Sequence, residues 1–151
     1  MPHAFTSTRR VEFSDTDMAG IAHFANFFPW MESAEHAFLR SLGLSVHGEL
    51  DGVAYGFVRA HASCDYRRPV RYQDLLEIEL TVVKKSRVAL VYEFVFRVLD
   101  SRSTGGSGRA EDVANGRLEV VCVGRPEKSG ERVRAIDIPE LIARRVDVAP
   151  S

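Results

Sequence analysis

The chain holds one long segment with helical spacing, and nearly everything after it alternates with the period of a strand. In the helical segment Phe27, Met31, Ala34, Phe38 and Leu42 fall on one face. Each large side chain fully buried is worth roughly 1.5–3 kcal/mol, so such a face demands cover. With little other helix in the chain, strands must supply it. Both ends of the segment carry signals. Asn26 is placed as an N-cap, Pro29 as the third helical residue whose missing amide costs nothing, and Gly43 as the left-handed residue that closes the helix.

Ahead of the helix, Val11 and Phe13 alternate with Arg10 and Glu12 as a short strand, followed by a polar turn. Leu44 to Val53 reads as a loop with two glycines. Val58, Ala60, Ala62, Cys64 and Tyr66 then form one phase of a strand, which the RRPVRYQD break ends at Pro69. A second strand runs through Leu76, Ile78, Leu80 and Val82, and KKSR connects it to a third. That third strand has Val88, Leu90, Tyr92, Phe94, Phe96 and Val98 in one phase and Ala89, Val91 and Val95 in the other, so cover on both faces is expected. DSRSTGGSGRAED reads as a loop, Arg117–Val123 as a strand, and GRPEKSGERVR as a polar loop or hairpin. DIPELIARR, from Asp137 to Arg145, predicts a short helix capped by Asp137 or Ile138 with Pro139 in its first turn. This order, a strand, one long helix and at least four strands, favours an α+β fold with one antiparallel sheet wrapped around a single central helix. The whole of residues 1–151 is read as one domain. An open sheet has unpaired edges, and pairing them with a second copy makes a homodimer the expected state.

A net charge of −1 argues against a nucleic-acid protein driven by overall charge. Cys64 and Cys122 both sit in apolar strand phases and read as core thiols of a reducing compartment. No apolar run approaches the ~18–20 residues of a membrane span, and MPHAFTSTRR lacks a signal-peptide core. A cytoplasmic protein is expected.

The polar turn holds the candidate chemistry. A helix N-terminus presents free amides and roughly half a positive charge, which favours developing negative charge. Asp15, Asp17 and His23 lie in the turn leading to it, and a carboxylate beside aimed amide donors suits attack on a carbonyl. These residue types also bind divalent cations, but no second ligand pair stands at convincing spacing, so no metal is expected. Glu32, Glu35 and His36 share a helix flank that reads as partly solvated, with Glu32 able to face a pocket.

The block VEFSDTDMAGIAHFANFFPWMESAEHAFLRSLG resembles the N-terminal motif of the 4-hydroxybenzoyl-CoA thioesterase family of hotdog-fold acyl-CoA thioesterases, and is similar to the Tol-associated acyl-CoA thioesterases. The similarity continues through ASCDYRRPVRYQDLLEIELTV and ends near RAIDIP. It implies the hotdog fold, active sites at a dimer interface, and dimers that pair into tetramers. It places the catalytic carboxylate on Asp17, acting as nucleophile or general base, and the carbonyl-polarising backbone N–H on Phe24. Gly20 permits the tight turn that brings this backbone close to substrate. His23 either orients the substrate, shares a proton with Asp17, or is satisfied by a backbone carbonyl. For the coenzyme, the resemblance points to the turn of Lys84, Lys85, Ser86 and Arg87. The implied reaction is hydrolysis of an acyl-CoA thioester, with no cofactor because coenzyme A is part of the substrate. The alternative from another class is a non-catalytic acyl-CoA-binding or sensing module.

Overall fold

The computed structural model describes residues 3–100, 111–124, 130 and 132–151. The elements, in chain order, are β1 (Ala4–Arg10), α1 (Phe27–Ser41), β2 (His47–Leu50), β3 (Val53–Tyr66), β4 (Leu75–Lys85), β5 (Ala89–Asp100), β6 (Glu111–Gly124) and α2 (Glu140–Arg145). Two 3-10 turns, Phe13–Asp15 and Phe24–Asn26, lie between β1 and α1. The six strands form one antiparallel sheet in the order β1-β4-β5-β6-β3-β2. Helix α1 lies against this sheet, touching β1, β3, β4 and β6.

The apolar face of α1 is buried through Phe27, Trp30, Met31, Ala34, Phe38 and Leu39. Phe27 meets Phe96 edge-on at 5.0 Å between ring centroids, and Phe38 meets Tyr92 at 6.3 Å. The inward phase of β5, from Leu90 to Phe96, is at most 1 % exposed, so the helix and this central strand make the core. On the opposite phase only Val91 is buried, and Glu93 is exposed. The expected double cover of β5 is therefore confined to one position. The helix closes as expected: Gly43 has φ +72°, its N–H reaches Arg40 O at 2.9 Å, and the Leu44 N–H reaches Leu39 O at 2.8 Å.

Several local expectations need correction. Val11 and Phe13 are not in a strand. Beyond Arg10 the Val11 backbone bonds to the loop before β4, donating to Asp74 O and accepting from Gln73 N, both at 2.9 Å. Asn26 precedes α1 but makes no cap bond; its side-chain amide instead donates to Asp15 O at 2.7 Å. The stretch read as a loop after the helix contains β2, which pairs with Val53–Gly56 of β3. The phase of β3 is not single. Tyr55, Phe57 and Arg59 face the helix, a bulge between Arg59 and His61 adds a residue, and Tyr66 then faces it too. Strand β6 begins at Glu111, earlier than its apolar alternation suggested, and residues 101–110 of the preceding loop lie outside the described set, as does most of the 125–131 segment. Helix α2 starts at Glu140 with Pro139 itself as the N-cap residue, because its ψ of 138° is extended.

A candidate thioester site at the start of the central helix

Asp15 anchors the turn. The residue is buried, at 8 % exposure, and Oδ2 accepts the Glu12 N–H at 2.8 Å with Arg9 Nη2 at 3.7 Å. Its carbonyl accepts both the His23 N–H, at 2.8 Å, and the Asn26 side chain. One residue thus ties the beginning of the turn to its end. Isolated bridges Thr16↔Ala22 and Ile21↔Arg71 pinch the intervening residues into a small loop with Asp17 and Gly20 at its tip.

Within that loop the Asp17 N–H donates to Ile21 O at 2.9 Å, and Asp17 O accepts the Gly20 N–H at 3.0 Å. Asp17 Oδ1 accepts the Ala19 N–H at 2.8 Å, and Oδ2 has no hydrogen-bond partner among the described residues. Gly20 has φ +80°, a left-handed conformation that side chains disfavour, so the tight turn does rest on glycine here. Asp17 is exposed, as are Met18 and Phe24, the latter at 61 %.

The chain then enters the Phe24–Asn26 turn. His23 caps it: Nδ1 accepts the Ala25 N–H at 3.2 Å, and His23 O accepts the Asn26 N–H at 3.0 Å. A histidine accepting through Nδ1 carries its proton on Nε2 when neutral, so the outer nitrogen is a donor. Its ring stacks on Phe24 with centroids 4.8 Å apart. The Ala25 and Asn26 amides are thus taken by His23, whereas the Phe24 N–H, first in its turn, has no acceptor among the described residues. Beside it lies a cavity of about 290 Å³ walled by Ile21, Phe24, Phe27, Tyr66 and Arg67. Asp17 stands outside that wall, on the loop that Ile21 and Ala22 close. A second cavity, of about 320 Å³, lies behind the turn between Arg10, Phe13 and Tyr72, and holds none of the expected site residues.

Glu32 lies two turns along α1 from Phe24, exposed, with Arg59 Nη2 at 3.2 Å. Its neighbour Glu35 corrects the expectation of a solvated flank. That side chain is 0 % exposed and faces Arg59 Nη2 at 2.7 Å. Burial lifts its carboxyl to about 7, with Arg59 opposing the shift. The hydroxyl of Tyr92, buried beneath it, has no hydrogen-bond partner among the described residues.

The other candidate cluster is far away. Strand β4 starts beside the Asp17 turn and ends at Lys85, a run of 11 residues, so about 30 Å separates the two. There Lys85 Nζ donates to the carbonyls of Ala143 and Val146 at 2.7 Å, closing the end of α2. Ser86 Oγ accepts the Ala89 N–H at 3.0 Å, and Arg87 is ion-paired with Asp137. Lys84 is exposed. One chain therefore brings Asp17, Gly20, His23 and Phe24 together, and separates them from Lys85, Ser86 and Arg87.

Two participants escaped the sequence reading. Tyr66 donates its hydroxyl to Phe24 O at 2.9 Å, and its ring meets Phe27 edge-on at 5.2 Å. Arg59 reaches inward to Glu35 from a strand whose bulge hid its phase; its position two residues after Phe57 was the available signal. Among the described residues no group of three or more His, Cys, Asp or Glu is arranged to hold a metal ion.

Comparison with known proteins agrees with this architecture. The sequence pattern of the thioesterase superfamily matches residues 19–104. A putative esterase of Aquifex aeolicus is 30% identical over 114 residues, covering 76% of this chain and 88% of its own. The 4-hydroxybenzoyl-CoA thioesterase of a Pseudomonas species is 27% identical over 141 residues, covering 92% and 94%. Among solved structures, a 1,4-dihydroxy-2-naphthoyl-CoA thioesterase from Synechocystis superposes with a TM-score of 0.78 at 24% identity, covering 95% of each chain. With its sheet wrapped on one helix and its DTDMAG turn at that helix's start, the chain belongs to the thioesterase superfamily and has the hotdog fold.

Proposed function

We propose that the chain hydrolyses an aromatic acyl-CoA thioester to the carboxylic acid and free coenzyme A. The observation that carries the reading is the Phe24 amide, without an acceptor among the described residues, in the first turn before α1, on a residue that walls an apolar cavity and one short loop from Asp17. The thioester carbonyl oxygen accepts from the Phe24 N–H, which stabilises the charge that develops when the carbonyl carbon is attacked; one such donor is typically worth about 2.7–4 kcal/mol. Asp17 either attacks the carbon itself, expelling the coenzyme thiolate and leaving a mixed anhydride for water to cleave, or takes a proton from an attacking water. The Nε2 proton of His23 is a further donor for the carbonyl or for Asp17. No cofactor takes part, since coenzyme A enters and leaves with the substrate. The rings of Phe24, Phe27 and Tyr66, and relatives named for 4-hydroxybenzoyl-CoA and 1,4-dihydroxy-2-naphthoyl-CoA, support an aromatic acyl group. Glu32, paired with Arg59, is not among the residues that wall this cavity.

The functional unit proposed is a homodimer. Among the described residues β3 is unpaired on its outer side from Val58 to Tyr66, because β2 covers only its beginning. An antiparallel copy laid on that edge reverses its own sheet, so the partner's β4–β5 turn comes to the end that carries this chain's Asp17. The Lys84–Arg87 turn then serves the coenzyme in trans, which reconciles its roughly 30 Å separation from Asp17 within one chain. Dimers pairing into a tetramer are part of the same proposal. Among the described residues no helix is long and apolar enough to cross a membrane, and the free thiols of Cys64 and Cys122 support a cytoplasmic setting.

Asp17→Asn keeps the shape and removes the charge. It should lower kcat by about 10²–10⁴-fold across a panel of aromatic and aliphatic acyl-CoAs, read as released thiol. Near-normal turnover in a folded Asn variant ends the assignment, whereas stoichiometric binding of acyl-CoA by the unaltered protein without thiol release favours a sensing module instead.

A further inference from the structure

We propose that Tyr66 is a positioning residue that holds the Phe24 amide on target from the opposite wall of the groove, an inference that rests on the thioesterase reading. The turn from His23 to Asn26 is fastened on its inner side by Asp15, whose carbonyl takes the His23 amide and the Asn26 side chain. Its outer side has a single tether to the sheet among the described residues, the 2.9 Å hydrogen bond from the Tyr66 hydroxyl to Phe24 O. The peptide unit between Phe24 and Ala25 is thereby gripped at both ends. Tyr66 holds its oxygen, and His23 Nδ1 accepts its N–H at 3.2 Å. With that peptide plane immobile, Phe24 has little freedom to rotate, and the direction of its own amide is set.

The anchor is itself well placed. Tyr66 is the last residue of β3, and its ring packs edge-on against both Phe27, at 5.2 Å, and Phe24, at 6.3 Å. Ring packing fixes where the oxygen sits, so the hydrogen bond is formed before any substrate arrives. Burial and the nearby Cys64 push the phenol up to about 12, so the hydroxyl remains a donor throughout the neutral range. Donors aimed in advance at the position of a developing oxyanion stabilise the transition state more than the ground state. Loosening one therefore lowers kcat and leaves KM largely untouched.

Tyr66→Phe removes only the hydroxyl and keeps the ring contacts. In the full-length protein, kcat for acyl-CoA hydrolysis should fall about tenfold with KM within twofold, and hydrogen exchange at the Ala25 and Asn26 amides should quicken while exchange across β3 and β6 is unchanged. A kcat equal to that of the unaltered protein overturns the inference, as does a raised KM at constant kcat, which would make Tyr66 a substrate contact. If the unaltered protein releases no thiol from any acyl-CoA, the thioesterase reading fails on its own account. Exchange at Ala25 and Asn26 then decides the tether alone, and unchanged rates refute it.

Discussion

Glu35 is the residue whose environment departs most from its surroundings in sequence. A glutamate on the third turn of an amphipathic helix is ordinarily wet, yet this one is fully enclosed against Arg59 and near Tyr92. Burial raises its carboxyl from 4.5 to about 7 because a charge deprived of water is costly, and the single guanidinium is shared with Glu32. The consequence for stability has a definite sign. Between pH 4.5 and about 7 the folded chain keeps a proton that the unfolded chain has lost. This group's contribution is therefore whole below the lower value, declines as pH rises, and is gone above the upper one. The total is of order 3 kcal/mol at 1.36 kcal/mol per unit. Urea unfolding measured across pH 4.5–8 should show that decline in the unaltered protein, and the slope should be absent in Glu35→Gln. Parallel profiles for the two proteins would mean that Glu35 is charged throughout.

At the scale of elements, the fold is governed by how closely α1 can lie on the sheet. Gly116 of β6 is buried beneath the helix, and a Cβ there would overlap the Met31 side chain. The strand needs no left-handed conformation at this position; the requirement is space. Gly116→Ala should therefore cost about 1–3 kcal/mol, the range for overpacking, with the lower part favoured because the Met31 thioether is flexible. Adding Met31→Ala should make the double variant less destabilised than the sum of the two single changes, as measured by equilibrium denaturation. Strict additivity would show that the helix does not rest on this glycine. The same closeness accounts for Tyr66, since a strand pressed against the start of α1 can hand its hydroxyl to the turn.

For the whole molecule, the decisive feature is the edge of β3 from Val58 to Tyr66, which no described residue pairs on its outer side. An unpaired run of main-chain groups this long invites pairing with a second copy. Ala60, the extra residue at the β3 bulge, is outside the ladder with β6, so proline there disturbs the outer edge more than the internal pairing. Ala60→Pro should sediment as a monomer with an unchanged far-ultraviolet spectrum and should lose thiol release, because each chain's Asp17 would lack the partner's β4–β5 turn. A monomeric yet fully active variant refutes the shared site.

How far the sequence could be read follows from the range of the forces involved. The helix from Phe27, its Gly43 closure, the inward phases of β4 and β5, and the Asp17–Gly20 turn were legible because propensity, periodicity and turn chemistry act over a few residues. The DTDMAG motif likewise pointed to the thioesterase superfamily. What remained hidden joins residues far apart in the chain. Asn26 capped nothing because Asp15, eleven residues earlier, offered its carbonyl. Arg59 keeps the inward phase of Phe57, the bulge after it brings Tyr66 inward as well, and Tyr66 meets Phe24 across 42 positions. Local pattern by itself determined one helix, a set of antiparallel strands and a carboxylate-bearing turn. Only the tertiary structure decided which amide of that turn was left open and what tethers it, because those partners meet only once the sheet has closed over the helix.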